Sequence, residues 1–126
     1  MAVAEMEYIG GGGPTDYISN TAEVTSGDTY VVGENDGLDF VPTRIVTETV
    51  IGGNLYMGIW DSNYKSGSKI EQLYVPSSGN GNWYEYNYNA TSGIYGALMN
   101  VDANNKQFTI NRGGSAACSV KWVAWK

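Results

Sequence analysis

Histidine is absent from the chain. Without an imidazole there is no Ser-His-Asp or Cys-His nucleophile, and the common imidazole sites for zinc and non-haem iron are lost. Cysteine is almost absent. Cys118 stands alone, so no internal disulfide forms, and the chain does not look like a disulfide-stapled secreted domain. Basic charge is scarce as well. Seven Lys and Arg against thirteen Asp and Glu leave a net charge of −6, the wrong sign for a nucleic-acid footprint or an anionic membrane surface. Charged residues make up only 16% of the chain, where about 25% is usual. No apolar run approaches the roughly 18 residues of a membrane-spanning helix. The start, MAVAEMEYIGGGG, has neither a basic n-region nor a long apolar h-region, so it does not read as a signal peptide. The expectation is a protein made in a cytoplasm.

What is present is glycine and aromatic surface. The 126 residues suit one domain and include 17 Gly, 10 Tyr and 4 Trp. A domain of this size can bury about two-thirds of its extended-chain surface. Tyr, Asn, Ser, Thr and Gly dominate the polar part, as in a β-protein with many tight turns. Charge is uneven: Met1 to Asp61 holds ten acids against Arg44 alone, and Ser62 to Lys126 holds six bases against three acids. The two halves could attract within the fold or between subunits.

GGGGP (Gly10 to Pro14) divides a short arm from the rest. Residues 1–14 are expected to form an N-terminal arm and hinge, and 15–126 a globular domain. From Thr21 onward, short β-rich runs alternate with turns. They are Ala22 to Thr25, Thr29 to Gly33, Phe40 to Ile51, Asn54 to Asp61 and Lys69 to Val75, then Trp83 to Asn89, Ile94 to Val101, Lys106 to Arg112 and Cys118 to Trp125. Pro42 restricts the start of the third run to an edge or a bulge. NLYMGIWD is apolar on both faces, with Leu55, Met57 and Ile59 on one and Tyr56 and Trp60 on the other. Such a strand is covered on both sides or lies in an interface. The spacing predicts an all-β fold: an antiparallel, jelly-roll-like β-sandwich of about eight strands.

In WYEYNYN, Tyr84, Tyr86 and Tyr88 alternate with Glu85, Asn87 and Asn89. Period two puts the tyrosines on one face of a strand. That face fits three uses: a core with hydroxyls at the rim, a protein interface, or a platform on which sugar rings stack. The candidate binding residues are Trp83, Tyr84, Tyr86 and Tyr88 with Asn82 and Asn87, joined by Tyr64. Other chemistry is less well supported. Glu34, Asp36 and Asp39 in GENDGLD are similar to an oxygen-rich Ca²⁺ loop but lack EF-hand spacing, and an Asp-Gly turn is the plainer reading. No carboxylate pair is singled out for glycoside hydrolysis. Cys118, alternating with Val120, Trp122 and Ala124, reads as a small buried hydrophobe. No catalytic residue, cofactor or metal is expected.

GDTYVV, GLDFVPTRIVTETV, NLYMGIWD and KQFTINR followed by VKWVAW together resemble a β-sandwich module of minor virion proteins in tailed bacteriophages. The resemblance rests on Leu38–Phe40–Pro42 at a strand start and Ile59–Trp60–Asp61 at a strand end. It continues through Gln107 to Ile110 and the terminal Trp122 to Trp125, with Leu38 and Asp39 separating Gly37 from Phe40 as a departure. It implies a non-enzymatic virion structural protein. The short chain, without a shaft, suits a capsid decoration or head-fibre subunit; a carbohydrate- or receptor-binding module of a tail fibre is the alternative. Docking on a major capsid protein or other virion protein would run through the arm residues Val3, Met6, Tyr8 and Ile9. The expected assembly is a homo-oligomer, with a trimer favoured, displaying Tyr/Asn loops towards a possible host-surface glycan. The expected location is the virion.

Overall fold

The computed structural model describes residues 16–25, 29–63, 69–87, 98–102, 105–111 and 117–126. Val3, Met6, Tyr8 and Ile9 of the expected arm, the expected hinge, and the candidate binding residues Tyr64 and Tyr88 lie outside the described residues. Among the described residues, nine strands run in chain order: β1 (Tyr17–Val24), β2 (Thr29–Val32), β3 (Arg44–Ile51), β4 (Asn54–Asp61), β5 (Lys69–Val75), β6 (Asn82–Asn87), β7 (Leu98–Asp102), β8 (Gln107–Asn111) and β9 (Cys118–Trp125). They form two antiparallel sheets that pack as a sandwich, as the turn spacing predicts. The larger sheet has the order β1-β9-β3-β4-β5-β6 and the smaller the order β2-β8-β7.

Local chemistry explains most boundaries. β3 is a β-branched run, RIVTETVI, whose χ1 preferences suit a pleated strand. Gly52 and Gly53 follow it with φ of 58° and 82°, the double positive φ of a tight hairpin turn, and β4 returns with Ile51 opposite Asn54. The strand expected to begin at Phe40 begins instead at Arg44. Pro42 lacks a ladder donor, and β3 is central, between β9 and β4, so the proline stays ahead of the ladder. β1 starts earlier than expected, at Tyr17, because β9 offers it a full-length partner from Trp125 to Cys118. ENDG forms the turn expected of it. Glu34–Asp36 make one 3₁₀ turn, closed by Gly37 at φ 91°, whose N–H donates to the Glu34 carbonyl at 3.0 Å.

The larger sheet has two unlike faces. Its inner face carries Ala22, Val24, Ile45, Ile70, Val120 and Trp122, all at most 1% exposed. The smaller sheet supplies Val32, Phe108 and Ile110 against them, each 0% exposed. Phe108 meets Trp122 edge to face at 5.5 Å between centroids, the geometry that aromatic quadrupoles favour. Burying each of these large side chains stabilises the fold by about 1.5–3 kcal/mol. Cys118 is free and half-buried, packed against this cluster on the face it shares with Val120.

Candidate functional site

Because residues directly opposite in a ladder share a face, the register alone maps the outer face of the larger sheet. Across β1, β9, β3 and β4, one row reads Tyr17, Trp125, Arg44, Asp61. The next begins Ser19, Val123, Val46, Ile59 and continues through Glu71 and Glu85. A third begins Thr21, Lys121, Glu48, Met57 and continues through Leu73 and Trp83. In the last, Val50, Leu55 and Val75 lie side by side.

An apolar band therefore crosses the sheet obliquely, from Tyr17 and Trp125 at one edge, through Val46, Ile59 and Met57, to Trp83 at the other. None of its members is buried in the way the inner face is; all are half-buried or exposed. Val50 is 62% exposed, Trp83 56% and Tyr17 47%. The two-sided apolarity of NLYMGIWD has its physical account here. Tyr56 and Trp60 face the core, while Leu55, Met57 and Ile59 lie at the centre of the band.

Polar corners flank the band. At one, the Arg44 guanidinium pairs with Asp61 at 3.5 Å and lies 5.7 Å from the centroid of the Trp125 ring. The pair is substantially exposed, so its contribution is small, under about 1 kcal/mol. At the other corner β3 and β9 part company, since their pairing stops at Glu48 opposite Lys121. The gap opens a cleft of about 640 Å³, lined in part by Thr21, Glu23, Glu48, Thr49, Ser119 and Lys121. Thr49 Oγ1 donates to the Ser119 carbonyl at 2.7 Å, and Ser119 Oγ donates to Glu23 Oε1 at 2.6 Å. Val50, Ala117 and Cys118 complete the lining, so hydroxyl, carboxylate and ammonium groups share the cleft with apolar surface. No pattern in the sequence marks this cleft, because it depends on which strand lies beside β9. Among the described residues, no group of three His, Cys, Asp or Glu could hold a metal ion.

The candidate binding residues divide. Trp83, Tyr84 and Asn82 are exposed on β6, an edge strand of the larger sheet. They do not form one platform. Trp83 pairs with Leu73 and belongs to the outer band, whereas Tyr84 pairs with the buried Gln72 and Asn82 with Tyr74, on the core-facing side. Tyr86 pairs with the buried Ile70, and Asn87 with Lys69, in backbone register. Tyr84 thus falls in a core-facing row and still keeps 44% of its surface exposed at the sheet edge.

A separate polar link fixes the 3₁₀ turn beside β2. Tyr30 Oη donates to Asp36 Oδ1 at 2.7 Å, and the Gly33 N–H donates to Asp36 Oδ2 at 3.2 Å. The hydrogen bond to Asp36 raises the Tyr30 phenol above its ordinary value of 10.0, with burial and the Asp36 charge adding to it. No family model, curated protein or solved structure matches the chain.

Proposed function

We propose that this chain is a non-enzymatic structural subunit that works by adhesion in a larger assembly. In particular, it would be a phage virion protein of the capsid-decoration or head-fibre kind. The observation that supports this reading is the oblique apolar band on the outer face of the six-stranded sheet, with its exposed Tyr17, Val50 and Trp83. An apolar band across an exposed sheet face, rimmed by charge, has the make-up of a protein contact. The virion placement adds the resemblance of GLDFVPTRIVTETV, NLYMGIWD and VKWVAW to modules of minor virion proteins. Mixing the purified chain with heads and with tails of a tailed phage that encodes it, then sedimenting each, tests the reading. Co-sedimentation with heads is the expected result, and absence from both pellets overturns the virion role.

A second reading, carbohydrate or receptor binding, is favoured by the exposed Trp83, Tyr84 and Asn82 at the β6 edge. A glycan array would detect it. Since Trp83 and Tyr84 occupy opposite faces, separate Trp83→Ala and Tyr84→Ala variants should identify which side carries any signal; equal signal from both would remove these rings from the site.

A further inference from the structure

We infer that the outer face of the six-stranded sheet is a twofold interface that pairs two copies of this chain. The inference rests on the proposed reading of that face as the working surface, and it names the occupant. Size is the first support. Six strands at about 4.8 Å spacing and eight residues at about 3.3 Å rise give a footprint of roughly 600 Å² before side-chain relief is counted. Stable protein interfaces bury roughly 600–1,000 Å² per partner, so the whole face, charged corners included, reaches the lower end of what a dimer needs.

Shape and pattern are the second support. The band runs obliquely from Tyr17 and Trp125 to Trp83, through Val46, Ile59 and Met57. A twofold axis in the plane of the face, crossing the middle of the band at right angles, lays the band on itself end to end. Trp83 of one copy then meets the Tyr17 and Trp125 corner of the other. Aromatic groups at both ends and aliphatic groups between them are the make-up of an interface core, with charge confined to the rim. The rim obeys this rule. Arg44, Asp61, Glu71 and Glu85 lie to one side of the band, and Glu23, Glu48 and Lys121 lie to the other.

The symmetry follows from the same geometry. A ring of three needs two different complementary patches on each subunit, because its contacts are head to tail. A single self-complementary band closes with a twofold, so the pair replaces the trimer as the expected unit. Sheet-on-sheet stacking about 10 Å apart would give each larger sheet the cover on its second face that β4 requires.

Sedimentation velocity of the full chain over a dilution series tests the interface. The expected result is a species of twice the 13.6 kDa chain mass. Met57→Glu should weaken association by roughly a hundredfold or more, because it forces an unpaired carboxylate into the contact. Should Met57→Glu disturb folding, the double variant Val50→Lys/Trp83→Lys serves, since those side chains are 62% and 56% exposed in the single chain. Val31→Lys, 50% exposed on the smaller sheet, should leave the mass unchanged. A wild-type monomer at every concentration, a mass of three chains, or a dimer indifferent to the outer-face variants overturns the inference. A monomer that still co-sediments with phage heads overturns the pairing and leaves the proposed function standing; a dimer that binds no particle does the reverse.

Discussion

Tyr30 shows how one residue couples a strand to a turn and to pH. Its hydroxyl donates to Asp36, which also accepts from the Gly33 N–H. Deprotonating the phenol removes the donor and sets two anions side by side, which is why its pKa is raised in the folded chain. The stabilisation is therefore fully present below the ordinary value of 10.0 and is lost as pH rises through the higher folded value. Tyr30→Phe should cost about 0.5–1.5 kcal/mol at neutral pH in urea titrations. It should also flatten the alkaline fall in stability; a fall of unchanged size would remove Tyr30 as its source. Gln72 makes the opposite case. It is 3% exposed on the core-facing side of β5, and its Nε2 has no hydrogen-bond partner among the described residues. An unmet buried donor costs about 1–3 kcal/mol, so Gln72→Met should raise the urea midpoint, and a clear loss of stability would reveal a partner for the amide. Neither residue stands out in the sequence. Tyr30 and Asp36 are six positions apart in an ordinary turn, and Gln72 sits at a position whose burial only β4 and β6 decide.

Among the elements, β8 carries the smaller sheet onto the larger. Phe108 and Ile110 are fully buried, and Phe108 packs on Trp122 of β9. Phe108→Ala should cost about 3–5 kcal/mol, a large share of the stability of any small domain. Chemical denaturation followed by tryptophan fluorescence would measure it, and a loss below about 1 kcal/mol would mean that the two sheets are held together elsewhere. The elements themselves were well marked in the chain. β4, β5 and β9 have the bounds that alternation and Gly-rich turns predict. The misreadings have physical causes. A ladder cannot accommodate Pro42 in a central strand, which moves the start of β3 to Arg44, and pairing with β9 extends β1 back to Tyr17.

At the scale of the whole molecule, net charge and the apolar band oppose each other. A charge of −6 opposes the pairing of copies at neutral pH without preventing it, and it vanishes near the isoelectric point of about 4.4. Light scattering should show self-association rising as pH falls towards that point, and Met57→Glu should reduce the rise; an equal rise in the variant would assign it to charge loss alone. The sequence by itself determined the fold class, because period-two alternation and turn chemistry are local and need no partner strand. It also marked β4 as apolar on both faces. Only the tertiary structure decided that Val46 lies beside Val123, that Trp83 falls on the outer face and Tyr84 on the core-facing side of an edge strand, and that β3 and β9 separate into a cleft. Those facts belong to register between strands distant in the chain, and a one-residue slip would exchange every face while leaving each strand's own pattern intact.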